Sequence, residues 1–249
     1  MNLLRTLAFY IYLFGYMLTH YGVLRRAERA RAAGDDATAD EIVRHFIPIW
    51  CNTLFRIGGI RVLVEGRENI PAGTPCVFVG NHRSCFDIPL MLTSLDAPHG
   101  LLSKDELRNI PLLSRWMNLL GCVYVEREDL RASVRALNQA AAAVKSGRSF
   151  IIFPEGTRYK GEEGGVGEFK AGAFRIAIKT GVPVVPVAIS GARGLYESHN
   201  YIVHPGTVRV SILPAIHTAG MSKDEQRQLP EAVRQNILAA LSRLDHTVI

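Results

Sequence analysis

A chain of 249 residues that is 48% hydrophobic, with 8% aromatics, can bury a sizeable core and is too apolar to remain disordered. A formal charge of +6 suggests an anionic partner, yet the arginines are dispersed and the aromatics gather near the N-terminus, which argues against nucleic acid. Cys51, Cys76, Cys85 and Cys122 form no CxxC pair, as expected of reduced thiols in a cytosol-facing protein rather than a disulfide framework.

Residues 6–24 carry no formal charge and, as a single helix, reach about 28 Å, just enough to cross a bilayer. Six aromatics in this run, four of them tyrosines, favour the membrane interface over the hydrocarbon centre. Arg25, Arg26, Arg29 and Arg31 follow as cytoplasmic flanking charges. A polar turn over 34–40 and a second apolar helix over 41–57 complete the pattern. Residues 1–58 therefore predict a membrane-binding helical hairpin on the cytoplasmic face of a membrane, and residues 59–249 a separate α/β domain.

Residues 60–65 alternate as a strand, and the apolar run 76–79 reads as a buried one. A helix begins near Ile88, and a strand-like run leads to Lys104. Residues 111–120 predict a helix and 123–125 a short strand. Asp129 caps an amphipathic helix with Leu130, Val134, Leu137, Ala141 and Val144 inward, closed by Gly147. A buried strand over 149–153 runs into Pro154-Glu155-Gly156-Thr157-Arg158. The glycine-rich segment 159–168 reads as a loop, and a helix from 169 ends at Gly181. Residues 182–190 form an apolar strand whose two prolines place it at a sheet edge. A last strand spans 207–213, and a capping box at Ser222 and Glu225 precedes a closing helix over 230–244. Strands alternating with helices predict an α/β domain with a mixed sheet flanked by helices.

Four polar clusters follow these strands, where open α/β sheets place their ligand sites. They are Asn81-His82 with Asp87, Lys104, Arg127, and Glu155 through Arg158. In one continuous helix His82 and Asp87 would point about 140° apart; across a strand-to-helix turn, imidazole and carboxylate can meet. Asp87 also fits as a plain helix N-cap, two residues before Pro89. One base, one acid and three cations in a common cleft suit a phosphorylated alcohol whose hydroxyl must lose its proton.

Asn81-His82-x4-Asp87 resembles the N-H-x4-D motif of the glycerolipid acyltransferases. The run from Lys104 to Pro111 with Gly121 to Arg127, the block Phe153-Pro154-Glu155-Gly156-Thr157-Arg158, and the proline-containing run 182–187 resemble their other three blocks, in the right order. Arg83 is a departure, where many members have glutamine. The resemblance implies acyl transfer from acyl-CoA or acyl carrier protein to the sn-2 hydroxyl of 1-acyl-glycerol-3-phosphate (lysophosphatidate), giving phosphatidate, with no cofactor or metal. It implies His82 as general base held by Asp87, Lys104 or nearby N–H groups on the oxyanion, and Arg127, Glu155, Gly156, Thr157 and Arg158 around the phosphate and glycerol. The partners implied are a lipid membrane, lysophosphatidate and the acyl donor. Three rival readings remain: Cys85 as nucleophile beside His82, a metal held by His82, Asp87 and His99, and a non-catalytic binder of anionic lipid.

Overall fold

The computed structural model describes residues 1–95, 98–126, 129–162 and 164–246. The elements are α1 (Asn2–Thr19), α2 (Tyr21–Ala32), α3 (Asp36–Gly58), β1 (Ile60–Glu65), β2 (Val77–Gly80), α4 (Asp87–Ser94), β3 (Gly100–Lys104) and α5 (Leu113–Leu120). They continue as β4 (Val123–Val125), α6 (Leu130–Lys145), β5 (Phe150–Ile152), α7 (Ala171–Thr180), β6 (Val184–Ser190), β7 (Gly206–Ile212) and α8 (Lys223–His246).

The seven strands form one mixed sheet in the order β1-β7-β6-β2-β5-β3-β4, antiparallel only between β6 and β7. The short central strands are apolar on both faces because helices cover both. Ile151 packs into the core shared with α1–α5, while Phe150 and Ile152 pack beneath α6, α7 and α8. This is the mixed α/β architecture expected. Because β2, β5, β3 and β4 run parallel, their C-terminal ends open on one edge of the sheet.

Four expectations need correction. Residues 184–190 do not lie at an edge: β6 is buried between β2 and β7. Pro186 is tolerated because its missing N–H falls on the β7 side, between the Val184–Ile216 bridge and the ladder that starts at Val187–Ile212. Its carbonyl still accepts from the Leu213 N–H, 2.9 Å. In α6, Val134 faces solvent, and Ala136, Ala140, Ala141 and Val144 face inward, so small side chains line the contact.

The third correction concerns the N-terminal run, which is not one helix. α1 ends at Thr19, and the chain bends by 52° at His20 before α2. Among the described residues no single helix is long and apolar enough to cross a membrane; only the bent pair together reaches that length. The expected turn at 34–40 also shrinks, because Asp35 caps α3 through the Thr38 N–H. Asp40 then lies inside α3 and binds both Arg31 and Arg148. Arg31 is therefore drawn inward to Asp36, Asp40 and the Leu119 carbonyl, whereas Arg25, Arg26 and Arg29 stay exposed. Together with the Arg115–Glu28 pair, this seats the first three helices on the same core as the sheet.

Candidate active site

Asn81 continues β2 sideways. Its buried carboxamide exchanges two hydrogen bonds with the Ile189 backbone, 2.9 and 2.8 Å, and so locks the end of β2 to β6. From that fixed point the chain turns through His82 to Phe86, around the carboxylate of Asp87. One oxygen, Oδ2, accepts from the His82 Nδ1–H at 2.8 Å and from the Arg83 and Ser84 N–H groups, each at 2.7 Å. Asp87 is the first residue of α4, and its side chain reaches back into the turn, not forward into the helix as an N-cap does.

This turn decides what His82 can do. With Nδ1–H committed to Asp87, Nε2 carries the free lone pair. The ring stacks on Phe153, centroids 4.4 Å apart, and its side chain is 13% exposed. A base held by a buried carboxylate, with one face on an apolar ring and its acceptor nitrogen open, is equipped to take a proton from a bound hydroxyl.

The Glu155–Arg158 block follows β5 on the neighbouring strand. Glu155 is buried with both oxygens occupied: Oε1 accepts from the His82 N–H at 2.7 Å and Oε2 from the Gly167 N–H at 3.1 Å. Burial raises its pKa against the pull of those two donors. Gly156 takes φ +72°, a conformation that glycine adopts without strain, and Thr157 is exposed. Arg158 turns back over the 82–87 turn, with Nη1 3.0 Å from Cys85 Sγ and 3.1 Å from Glu197 Oε1.

Lys104 closes β3 on the same sheet edge, two strands from β2 and so about 10 Å away across the sheet. It is exposed, with Nζ 2.8 Å from Glu106. Arg127 lies outside the described residues. His99 precedes β3 at the opposite edge, where its Nε2 meets the Leu95 carbonyl, so it cannot share an ion with His82 and Asp87. The Cys85 thiol is pushed up to about 11, because lost solvation outweighs the Arg158 charge beside it, and it stays protonated at neutral pH.

Two sets of contacts at the site were not predicted from the sequence. Glu197, in a short helical turn between β6 and β7, accepts from Ser84 Oγ and the Cys85 N–H, both at 2.7 Å, as well as from Arg158. Arg83 is buried and reaches the carbonyls of Gly161, Glu162 and Gly165, with its guanidinium over the Tyr159 ring. The loop is thereby held against the 82–87 turn. Gly161 leaves space that the Tyr159 ring fills; a Cβ there would sit 2.2 Å from the phenol oxygen.

Comparison with known proteins agrees with this geometry. The family profile described as Acyltransferase matches residues 61–190. The chain is 41% identical over 168 residues to a chloroplastic 1-acyl-sn-glycerol-3-phosphate acyltransferase of Brassica napus, covering 66% of this chain and 48% of that protein. It is 30% identical to the 1-acyl-sn-glycerol-3-phosphate acyltransferase of Borreliella burgdorferi, covering 76% and 74%. The matched part thus spans about half the length of the plant relative and three quarters of the bacterial one. The crystal structure of the lysophosphatidate acyltransferase PlsC from Thermotoga maritima superposes with a TM-score of 0.86 at 35% identity, over 100% of this chain and 98% of that one. A mixed seven-stranded sheet with N-terminal helices, a histidine held by a buried aspartate at its open edge, and relatives of this kind lead to one conclusion: the chain belongs to the acyltransferase family.

Proposed function

We propose that the protein transfers a fatty acyl group from a thioester to the sn-2 hydroxyl of 1-acyl-glycerol-3-phosphate, giving phosphatidate for phospholipid synthesis. The observation that carries the reading is the His82–Asp87 pair, with Nε2 left open and the Arg158 guanidinium over the same turn. His82 Nε2 takes the hydroxyl proton as the oxygen attacks the thioester carbonyl, and Asp87 stabilises the imidazolium that forms. When the tetrahedral intermediate collapses, the C–S bond breaks and the imidazolium returns the proton to the departing thiolate. Acyl-CoA and acyl carrier protein both fit this chemistry as donor, and no group on the enzyme is acylated.

Arg158 is assigned to the phosphate, whose oxygens a guanidinium fork matches. Lys104, on the same edge, is assigned to the developing oxyanion, and Arg127 to the headgroup by the family resemblance alone. Glu155 serves by holding the His82 backbone, Gly156 by allowing the turn, and Thr157 lines the exposed side.

The same reading places the protein at the cytoplasmic surface of a membrane. Leu4, Leu7, Ile11, Phe14 and Leu18 form an exposed apolar stripe along α1, with exposed arginines on α2 beside it. Such a face lies in one leaflet and brings the cleft to headgroup level.

The test is transfer of a labelled acyl group from acyl-CoA and from acyl carrier protein to lysophosphatidate, other lysophospholipids and glycerol-3-phosphate. Wild type and His82→Ala are compared. Product from lysophosphatidate that disappears in the folded variant supports the assignment. Near-normal turnover by His82→Ala removes the base, and no product with any acceptor leaves a lipid-binding protein.

A further inference from the structure

We infer that Glu197 is the resident counter-ion of Arg158, which the incoming phosphate of the acceptor must displace, so that this carboxylate sets the threshold for anion binding. The inference rests on the headgroup role proposed for Arg158.

Glu197 comes from the connection between β6 and β7, far in sequence from both His82 and Arg158. Its side chain is only 11% exposed, against 36% for Arg158, so the pair is partly shielded from water. Oε1 accepts from the Cys85 N–H at 2.7 Å and from Arg158 Nη1 at 3.1 Å, while Oε2 accepts from Ser84 Oγ at 2.7 Å. The carboxylate is anchored by two groups of the catalytic turn and touches Arg158 at Nη1 alone. A single-point contact of this kind is more readily exchanged than a two-point one, so an anion that engages the planar fork with two oxygens can displace it. The Glu197 segment is itself fixed: Tyr196 is buried against Phe86, and Arg193 donates to the Tyr159 carbonyl at 3.1 Å. Arg158 is therefore the more exposed partner and the one with room to turn.

Two consequences follow. Paired with Glu197, Arg158 is neutralised and held over Cys85, which weakens the pull of the basic cleft on stray anions. A phosphate monoester carries up to two charges and outcompetes one carboxylate for the fork, whereas a weakly charged headgroup does not. Glu197 thus favours acceptors with a terminal phosphate over those in which the phosphate is esterified twice.

The test uses the full chain in detergent micelles and two readouts. Inorganic phosphate and glycerol-3-phosphate binding are measured by calorimetry for wild type, Glu197→Gln and Arg158→Gln, and steady-state kinetics are run with lysophosphatidate. Glutamine can still accept from the Cys85 N–H and pair with Ser84 Oγ, but it removes the competing charge. Glu197→Gln should bind phosphate about three- to tenfold more tightly and lower KM in proportion, with the change falling on KM and not on kcat. Arg158→Gln should lose the phosphate binding. Unchanged or weaker phosphate binding by Glu197→Gln overturns the inference and leaves Glu197 as a brace for the turn. If that variant does not fold, the wild type decides: in a structure with phosphate bound, the Arg158–Glu197 separation should exceed about 4 Å. Bound phosphate with the pair intact overturns the inference equally. Failure of the wild type to acylate lysophosphatidate refutes the proposed reaction instead, and the calorimetry still settles the ion exchange.

Discussion

Glu155 offers the sharpest test of how this site is built. As part of the headgroup block it is expected to touch the glycerol-phosphate, yet both of its oxygens hold backbone N–H groups, of His82 at 2.7 Å and Gly167 at 3.1 Å. Glu155→Gln keeps the shape but supplies one acceptor oxygen in place of two, so one N–H faces an amide NH2. An unsatisfied buried donor costs about 1–3 kcal/mol, and the surviving bond loses its charge assistance, about 1 kcal/mol more. Release from the charge's desolvation returns part of this, so the net loss is about 1–3 kcal/mol. In a chain of this size that lowers Tm by about 2–4 °C per kcal/mol. The kinetic effect comes through His82: if its backbone shifts by about 1 Å, kcat falls roughly 100-fold. KM for lysophosphatidate should stay within about threefold, because no substrate contact is lost. Thermal unfolding and steady-state kinetics on the purified variant check both figures. A KM raised tenfold or more at near-normal kcat would show that Glu155 meets the substrate directly and would refute this reasoning.

Further expectations concern other parts of the site. Burial raises the Glu155 pKa above its ordinary value of 4.5, so its contribution to stability is fully present below pH 4.5 and is lost as pH rises through the folded-state value. Denaturant unfolding of wild type and Glu155→Gln across this window should show the wild type losing ground to the variant as pH rises; the opposite slope would mean that the two N–H donors dominate. Cys85→Ser should retain turnover within about tenfold, since the protonated thiol forms no acyl intermediate; loss of all activity with the fold intact would revive the thiol route. Arg83→Gln cannot reach three loop carbonyls, so amide hydrogen exchange over residues 159–167 should rise at least tenfold, and unchanged protection would show that Arg234 and Glu155 suffice to hold the loop. Replacing Leu7, Ile11 and Phe14 with lysine should move the protein from anionic vesicles to the supernatant without changing its Tm by more than a few degrees; continued pelleting would place the membrane contact elsewhere.

The fold class and the local geometry of the His82–Asp87 turn were legible in the sequence; the long-range contacts were not. Strand-to-helix punctuation around Gly80 and Asp87 placed an imidazole and a carboxylate across one turn, because local spacing determines that arrangement. The apolar runs of β2, β5 and β6 were similarly visible, since fully covered strands carry little polar residue on either face, while β1 and β7 showed by their alternation. What stayed hidden depends on partners far along the chain. Pro186 signals an edge by itself, and only the path of residues 213–216 explains why a central strand accepts it. Asp40 reads as a turn residue until Arg148 arrives from the other side of the domain. Glu197 belongs to no motif, and its three donors lie 39 to 113 residues away. The break at His20 escaped for the opposite reason: hydropathy alone is continuous through it, while α2 is turned by the Glu28–Arg115 pair and the Asp40 hub.

The seating of α1 also bears on how the chain is made. Its inner face has early and late partners: Tyr16 and Leu13 meet Phe46 and Trp50 of α3, whereas Phe9 packs on Phe86, Tyr10 meets Tyr196 hydroxyl to hydroxyl, and the Asn2 amide contacts His204. During N-to-C synthesis the helix therefore leaves the ribosome with both sides apolar; Phe46 and Trp50 of α3 can cover part of its inner side early, but its contacts with Tyr196 and His204 must wait until some 200 residues have been added. Loop closure of that span is slow compared with helix formation. Until those late partners arrive, part of the inner face of α1 stays exposed beside its outer apolar stripe, and under the membrane role proposed above a lipid surface would cover both.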